Sequence, residues 1–336
     1  MLRCAQHDSF CLGACRPTAW GSRNDKCNIV KTWNMEPGTW NVERGTWNLE
    51  LGTTEEAMRL GDVEFHIVSD GEFWVDGGAA FGLVPKILWS RVIAPDDLNR
   101  IPMALNCLLI IADGQRILVD TGYGDKLSPK ERDIFRIQGE KRLLGSLARL
   151  GLAPTDIDIV INTHLHADHC GGNTVWQDGQ AVPTFPHAEY WIQRLEWADA
   201  LYPNERTQAT YLAANFAPLR DSRQLRLLHG DTRVNSAVRC QVTRGHTRAH
   251  QSVLIEADGQ TAIFLGDVAS KVVNLERLAW VTSFDVEPLE NIETKRSLQR
   301  WALEKDPLLI FEHDVRLALG RLREADGRYW VEGVEK

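Results

Sequence analysis

From residue 58 onward the chain is built of short apolar runs punctuated by turn-forming pairs. Residues 63–69 and 72–75 alternate apolar and polar positions on either side of Asp70-Gly71, a pattern that predicts a β-hairpin. Residues 104–111 and 116–119 flank Asp113-Gly114 and read as two buried strands. The second strand ends in Asp120 and a glycine-rich bend through Gly124. Between Arg136 and Leu150, the residues Leu143, Leu144, Leu147 and Leu150 recur at helical spacing and stop before Gly151 and Pro154. A buried strand follows at 157–161 and another at 185–192, with a helix through Leu201. The polar and aromatic segment 203–218 interrupts the strand pattern and is expected to form a cap that shapes access to a site. Three later apolar stretches end in Gly245-His246, Gly266-Asp267 and Glu312-His313. So many short strands with few helices do not give the regular alternation of a doubly wound sheet.

Residues 1–57 have a different character. A seven-residue unit ending in Thr-Trp-Asn recurs from Asn28, but Pro37, Gly38 and Gly45 make a coiled coil an unsuitable reading. Three short units cannot bury a core of their own. Residues 1–57 are therefore expected to be an irregular, disordered extension, and residues 58–336 the working domain, with Met58 an alternative start. Cys4, Cys11 and Cys15 lack the C-x2-C spacing of a metal site.

With 336 residues, 43% of them hydrophobic, the chain can bury a sizeable core. A net charge of −8 argues against a general binder of nucleic acid or anionic membrane. No apolar run reaches 18 residues and no secretory h-region is present, so a cytoplasmic location is expected. The scattered Cys107, Cys170 and Cys240 do not look like a disulfide framework.

Chemistry concentrates at 163–172. His164, His166, Asp168 and His169 fall within six residues, directly after a buried strand, in a chain with only ten histidines. On an extended chain His164, His166 and Asp168 point the same way and His169 leaves in another direction. That layout suits two metal ions side by side, and a chance histidine-rich turn is a poor account of it. His66, His187 and His229 lack partner ligands in sequence and read as structural.

The motif His164-x-His166-x-Asp168-His169 resembles the HxHxDH signature of the metallo-β-lactamase superfamily. The resemblance implies an α+β fold, the four-layer αββα sandwich, with metals at one edge of two sheets. Carried over by position, it makes His164, His166 and His246 ligands of one metal. Asp168, His169 and His313 become ligands of the second, and Asp267 the bridge. Asp120 would orient a ligand or the loop; His250 and Cys170 would not be ligands. Two divalent ions are implied. Imidazole and carboxylate without thiolate favour Zn2+, with Mn, Fe or Co as chemically reasonable substitutes.

Two divalent ions bring +4, and Asp168, Asp267 and a hydroxide between the metals bring −3. Such a centre favours hydrolysis at a carbonyl or phosphoryl group, with Asp168 or Asp267 moving a proton to the leaving group. The segments at Asp70-Gly71, Asp76-Gly77-Gly78, Val84-Pro85-Lys86 and 118–122 look most like the branch of N-acyl-homoserine lactonases and organophosphate hydrolases. Those enzymes often carry a tyrosine three residues after the bridging aspartate as an oxyanion donor. Here Ser270 holds that position, with Tyr123 a conceivable replacement. The expected reaction is hydrolysis of a lactone or ester. Phosphoesters and thioesters of the glyoxalase-II kind are alternatives, and a non-catalytic, metal-stabilised binding protein is an alternative of another class. The expected partner is a small-molecule substrate, not nucleic acid or membrane; a homodimer is compatible with this branch. Segment 203–218 is expected to shape the pocket; segment 81–89 reads equally as a stretch near its mouth or as core, and Trp74, Trp89, Trp191 and Trp197 could line an apolar entrance, although burial in the core is the commoner fate of a tryptophan.

Overall fold

A computed structural model describes residues 57–139 and 142–334. The repeat-bearing extension lies, apart from Ala57, outside them. The first sheet begins with β1 (Met58–Leu60), β2 (Val63–Asp76), β3 (Arg100–Ala112), β4 (Gln115–Val119) and β5 (Ile159–Ile161). After a small hairpin, β6 (Thr174–Gln177) and β7 (Gln180–Pro183), it is completed by β8 (Glu189–Gln193) and β9 (Leu225–Leu228), giving the order β1-β2-β3-β4-β5-β8-β9. The second sheet runs in sequence order: β10 (Thr232–Arg233), β11 (Val238–Val242), β12 (Gln251–Ala257), β13 (Gln260–Phe264), β14 (Leu308–Ile310), β15 (Leu319–Ala325) and β16 (Arg328–Gly333).

Strand periodicity explains the layering. Leu108 and Ile110 of β3 point to a core shared with Val253 and Ile255 of β12 and Phe264 of β13. Leu109, between them, points the other way and packs with Leu143 and Leu147 of the helix Arg142–Arg149. On the far side of the second sheet, Ile263 and Leu309 pack with Leu298 and Ala302 of the helix Pro288–Lys305. Both faces of each central strand are buried, which is why these strands read as continuous apolar runs. Helix, sheet, sheet and helix are the four layers of the expected αββα sandwich. No helix among the described residues is long and apolar enough to cross a membrane.

Two local expectations are corrected. Asp70-Gly71 is not a hairpin turn. Strand β2 runs through it and pairs with β3 from Glu64 opposite Ile111 to Asp76 opposite Arg100, with a register shift between Ser69 and Glu72. This is a bulge. It is held because the Asp70 carboxylate is buried and accepts from Arg142 Nη2 at 3.0 Å, Gly124 N at 3.1 Å and Leu143 N at 3.2 Å. The local turn preference of Asp-Gly loses to partners distant in sequence. The helix expected over 136–150 is also shorter. Arg136 adopts φ 51°, separating a capped helix at Pro129–Ile134 from the one at Arg142–Arg149.

Candidate metal centre

Strand order brings the chemistry to one edge. β13 and β14 are parallel, so their carboxyl ends deliver Asp267 and His313 to the same side. β4 and β5 are likewise parallel and deliver Asp120 and the histidine loop. The loop does not stay extended as far as expected. His166 caps a one-turn helix, Ala167–Cys170, and the backbone N–H groups of His169 and Cys170 both donate to His166 O at 3.1 Å. Asp168 and His169 therefore sit on a helical turn, and strand alternation ends at His166. Gly171 and Gly172 allow this turn to press on the bend after β4: a Cβ on Gly171 would stand 2.1 Å from Tyr123 O.

The seven residues singled out in sequence come together. His246 Nε2 lies 3.0 Å from His166 Nδ1, and the His164 ring is 4.5 Å from that of His166 and 4.7 Å from that of His246, centre to centre. His313 Nε2 lies 3.1 Å from His169 Nε2, and Asp168 Oδ2 is 3.7 Å from His169 Nε2 and 3.6 Å from His313 Nε2. Asp267 stands between the two groups. Its Oδ2 is 3.2 Å from His246 Nε2 and its Oδ1 is 3.2 Å from His313 Nε2.

The surroundings aim these side chains. His313 Nδ1 donates to Ala104 O at 2.7 Å, which leaves Nε2 with its lone pair facing the site. His246 Nδ1 lies 2.8 Å from Asp285 Oδ1, and Asp285 is itself fixed by Thr282 Oγ1 at 2.9 Å and Asn291 Nδ2 at 2.6 Å. Asp120, in the left-handed region at φ 56°, places Oδ2 3.1 Å from His169 Nδ1 and accepts the Thr163 N–H at 2.8 Å. Glu312 Oε2 is equally near His169 Nδ1 at 3.1 Å, but off the N–H direction, so both of its buried oxygens lack a hydrogen-bond partner. Cys170 Sγ donates to Leu165 O at 3.2 Å and is fully buried in the core.

A pair of divalent ions fits this set. Buried His164 Nε2 and Asp267 Oδ1 have no hydrogen-bond partner, an expensive arrangement for polar atoms unless something else binds them. Burial and the neighbouring imidazoles hold His164 and His166 well below the ordinary histidine range, in the neutral form that a ligand needs. Burial also opposes charge on His169, yet Glu312, Asp168 and Asp267 outweigh it and raise that imidazole. Burial is likewise overcome at His246 and His313, above all by Asp267. The carboxylates of Asp120, Asp168, Asp267, Asp285 and Glu312 surround the centre, and among the described residues none has a Lys or Arg in ion-pair range. The centre calls for positive charge, which two metal ions supply. Donor atoms of His164, His166 and His246 form one compact group and those of Asp168, His169 and His313 another.

The centre opens into a cavity of about 350 Å3 walled mainly by apolar side chains, among them Phe73, Met103, Phe135 and Phe284. Tyr123 also lines it, stacked on Phe135, and burial pushes its phenol up, so the hydroxyl stays protonated. The segment 203–218 contributes Ala209, Thr210 and Leu212, in line with its expected role. The segment 81–89 does not reach the wall: Phe81 and Trp89 stack on each other in the core. Nor do the four tryptophans line the entrance. Trp89, Trp191 and Trp197 are buried, and Trp74 packs under Arg136. Ser270 lines the cavity, but its hydroxyl donates to Asn274 Oδ1 at 3.2 Å. Sequence reading missed Asp285, which holds His246, Glu312, whose carboxylate lies beside His169, and Lys271 in the cavity wall. Glu312 adjoins His313 at a strand end and was open to that inference; Asp285 lies in a loop with no such signal.

Comparison with known proteins agrees with the geometry. The pattern of the metallo-beta-lactamase superfamily matches residues 100–300, more than half of the chain. The chain belongs to that superfamily and is a hydrolase. It is 27% identical over 243 residues to an N-acyl homoserine lactonase of Bacillus cereus, covering 69% of this chain and 88% of that one. Among solved structures it resembles a probable metal-dependent hydrolase from Staphylococcus aureus, with TM-score 0.75, 30% identity and coverage of 83% and 100%. It also shares the fold of AidC, a dizinc quorum-quenching lactonase, with TM-score 0.70, 20% identity and coverage of 84% and 97%.

Proposed function

We propose that this protein hydrolyses the lactone ring of N-acyl-homoserine-lactone-type substrates at two divalent ions, zinc in the first instance. The observation that carries the reading is the division of Asp267. Each of its carboxylate oxygens is 3.2 Å from the histidine of a different group, at the floor of an apolar cavity. The lactonase names of the relatives supply the substrate class. His164, His166 and His246 would hold one ion, Asp168, His169 and His313 the other, and Asp267 would join them. Bound there, the metals supply an activated water and positive charge for the oxygen of the attacked carbonyl.

The remaining work falls to the chain's own groups. Asp120 and Asp285 keep His169 and His246 in the tautomers and orientations that ligation requires. Asp168 lines the cavity and is more exposed than Asp267, which suits it to pass a proton to the departing alkoxide. Tyr123, kept protonated by burial, is a hydrogen-bond donor in the same wall. The apolar side chains exclude water and accommodate an acyl chain.

The test is turnover by purified, zinc-loaded protein on hexanoyl- and decanoyl-homoserine lactones, aryl esters, thioesters and a paraoxon-like triester. Lactone opening at rates above the other classes, lost in His166→Ala together with bound metal, is the expected result. Absence of lactone turnover at high enzyme concentration refutes the substrate class, and activity persisting in metal-free protein refutes the hydrolytic centre.

A further inference from the structure

Lys271 and Lys295 are both buried, and the contrast between them is informative. Lys295 is a structural cation. Its Nζ donates to Asn274 O and Trp280 O, each at 3.0 Å, and ties the helix Pro288–Lys305 to the segment after Asp267. Lys271 is only 1% exposed and lines the cavity beside the metal centre, yet its Nζ meets the thioether of Met103 at 3.5 Å and Ser270 Oγ at 3.4 Å. Its third neighbour is the face of the Phe81 ring, at 5.4 Å. An ammonium has three donors and no acceptor, and a thioether accepts weakly.

No carboxylate among the described residues answers this charge at ion-pair distance. The nearest candidates are committed elsewhere. Asp314 accepts the N–H groups of Val272, Arg316 and Leu317. Asp285 serves His246 and Asn291, and Asp267 stands between the two histidine groups. Lys271 is also the lone Lys or Arg among the described residues in the wall of this cavity. Burying a charge without a partner is costly, so a persistent one in a cavity wall calls for an external partner. Asp168 and Asp267 aside, the one carboxylate among the described residues of the wall is Glu131, which is occupied by the hydroxyl and backbone N–H of Ser128.

We propose that Lys271 is the substrate-oxygen donor of this site: its ammonium receives a carbonyl or carboxylate oxygen of the molecule bound at the metal centre. Lys271 thereby takes on the hydrogen bonding that Ser270, with its proton directed to Asn274, does not provide. A cation in this position favours oxygen that carries or gains negative charge, as the attacked carbonyl does during hydrolysis and as the product carboxylate does after it. The assignment rests on the hydrolase reading but not on the choice of lactone.

The experiment compares metal-loaded, full-length wild type with Lys271→Met and Lys271→Gln. Metal content and melting temperature are measured first, then hexanoate binding by calorimetry, then kcat/KM on hexanoyl-homoserine lactone and phenyl acetate. Lys271→Met should keep both metals and melt no lower than wild type, bind hexanoate about tenfold or more weakly, and lose at least about tenfold in kcat/KM on whichever substrate the wild type turns over. Lys271→Gln, which retains an N–H donor, should recover part of both losses. Hexanoate affinity within twofold of wild type in Lys271→Met overturns the assignment, as does failure of the wild type to bind hexanoate. Loss of metal or folded protein in both variants also overturns it, because it makes Lys271 a packing residue. A wild type that opens no lactone refutes the lactone class alone, since the hexanoate measurement still decides Lys271.

Discussion

His250 accepts the backbone N–H of Asp267 through Nε2 at 2.9 Å while its Nδ1 lies 2.8 Å from Thr243 Oγ1. A histidine that is not itself among the ligands thus fixes the residue that joins the two metal groups. Burial pushes this imidazole down to about 3, so it stays neutral and can accept. The approach is close enough to require glycine at 266, where a Cβ would stand 2.7 Å from His250 Nε2 and φ is +56°. His250→Phe should leave the Asp267 N–H buried without a partner and weaken metal binding by roughly 10–100-fold, as removal of a residue that orients a ligand does. Competition with a chromophoric chelator measures this, and unchanged affinity would sink the assigned role.

How much of this was legible in sequence depends on distance along the chain. The histidine loop declares itself because four potential ligands fall in six residues, and Asp267 and His313 because each follows an apolar strand. The αββα layering was legible through the resemblance and through strands apolar on both faces. Asp285 was not, because its partner His246 is 39 residues away and nothing in the segment from Thr282 to Asp285 departs from an ordinary polar loop. Asp70-Gly71 was misread for the same reason: its dipeptide is a turn signal, and the Arg142 that overrides it lies 72 residues downstream. Lys271 follows Ser270 at a helix start, where a lysine ordinarily faces solvent; only the structure shows it buried.

The Asp70 bulge leads to a stability prediction. Asp70→Ala removes the acceptor for Arg142 and for the backbone N–H groups of Gly124 and Leu143. Breaking a buried pair by deleting one partner typically costs about 3–5 kcal/mol. Urea unfolding should show a loss of that order. A loss below about 1 kcal/mol would mean that the bulge is held by strand pairing alone.

Lys271 makes the stability of the protein depend on pH in an unusual direction. Burial pulls its ammonium down from 10.5 to about 8, with Asp267, Asp314 and Asp285 opposing the shift from a distance. Between those values the unfolded chain binds more protons than the folded one, so this residue makes stability rise with pH across that window and penalises folding below it. Lys271→Met removes the penalty. The variant should therefore be more stable than wild type at pH 7, by on the order of 3 kcal/mol at most, and the difference should shrink towards pH 10. Paired urea titrations at the two pH values check the sign; a variant less stable than wild type at pH 7 contradicts it.

Phe284 and Leu212 stand in the same cavity wall, and Phe284 is 37% exposed, so a bound acyl chain would cover surface that water now touches. That contact grows with chain length, whereas the chemistry at the metal centre does not. Phe284→Ala should therefore lower kcat/KM on decanoyl-homoserine lactone by roughly tenfold, the equivalent of about 1.4 kcal/mol of lost apolar contact. Butanoyl-homoserine lactone, with much less chain to bury, should change by less than about twofold. An equal loss on both substrates would instead indicate that the loop carrying Phe284 acts on the centre itself. The route is short, because Thr282, two residues earlier, donates to the Asp285 carboxylate that holds His246. Metal content measured on the same preparation separates the two cases: a chain-length effect leaves both metals in place, while a disturbed Asp285 lowers occupancy at the His246 side.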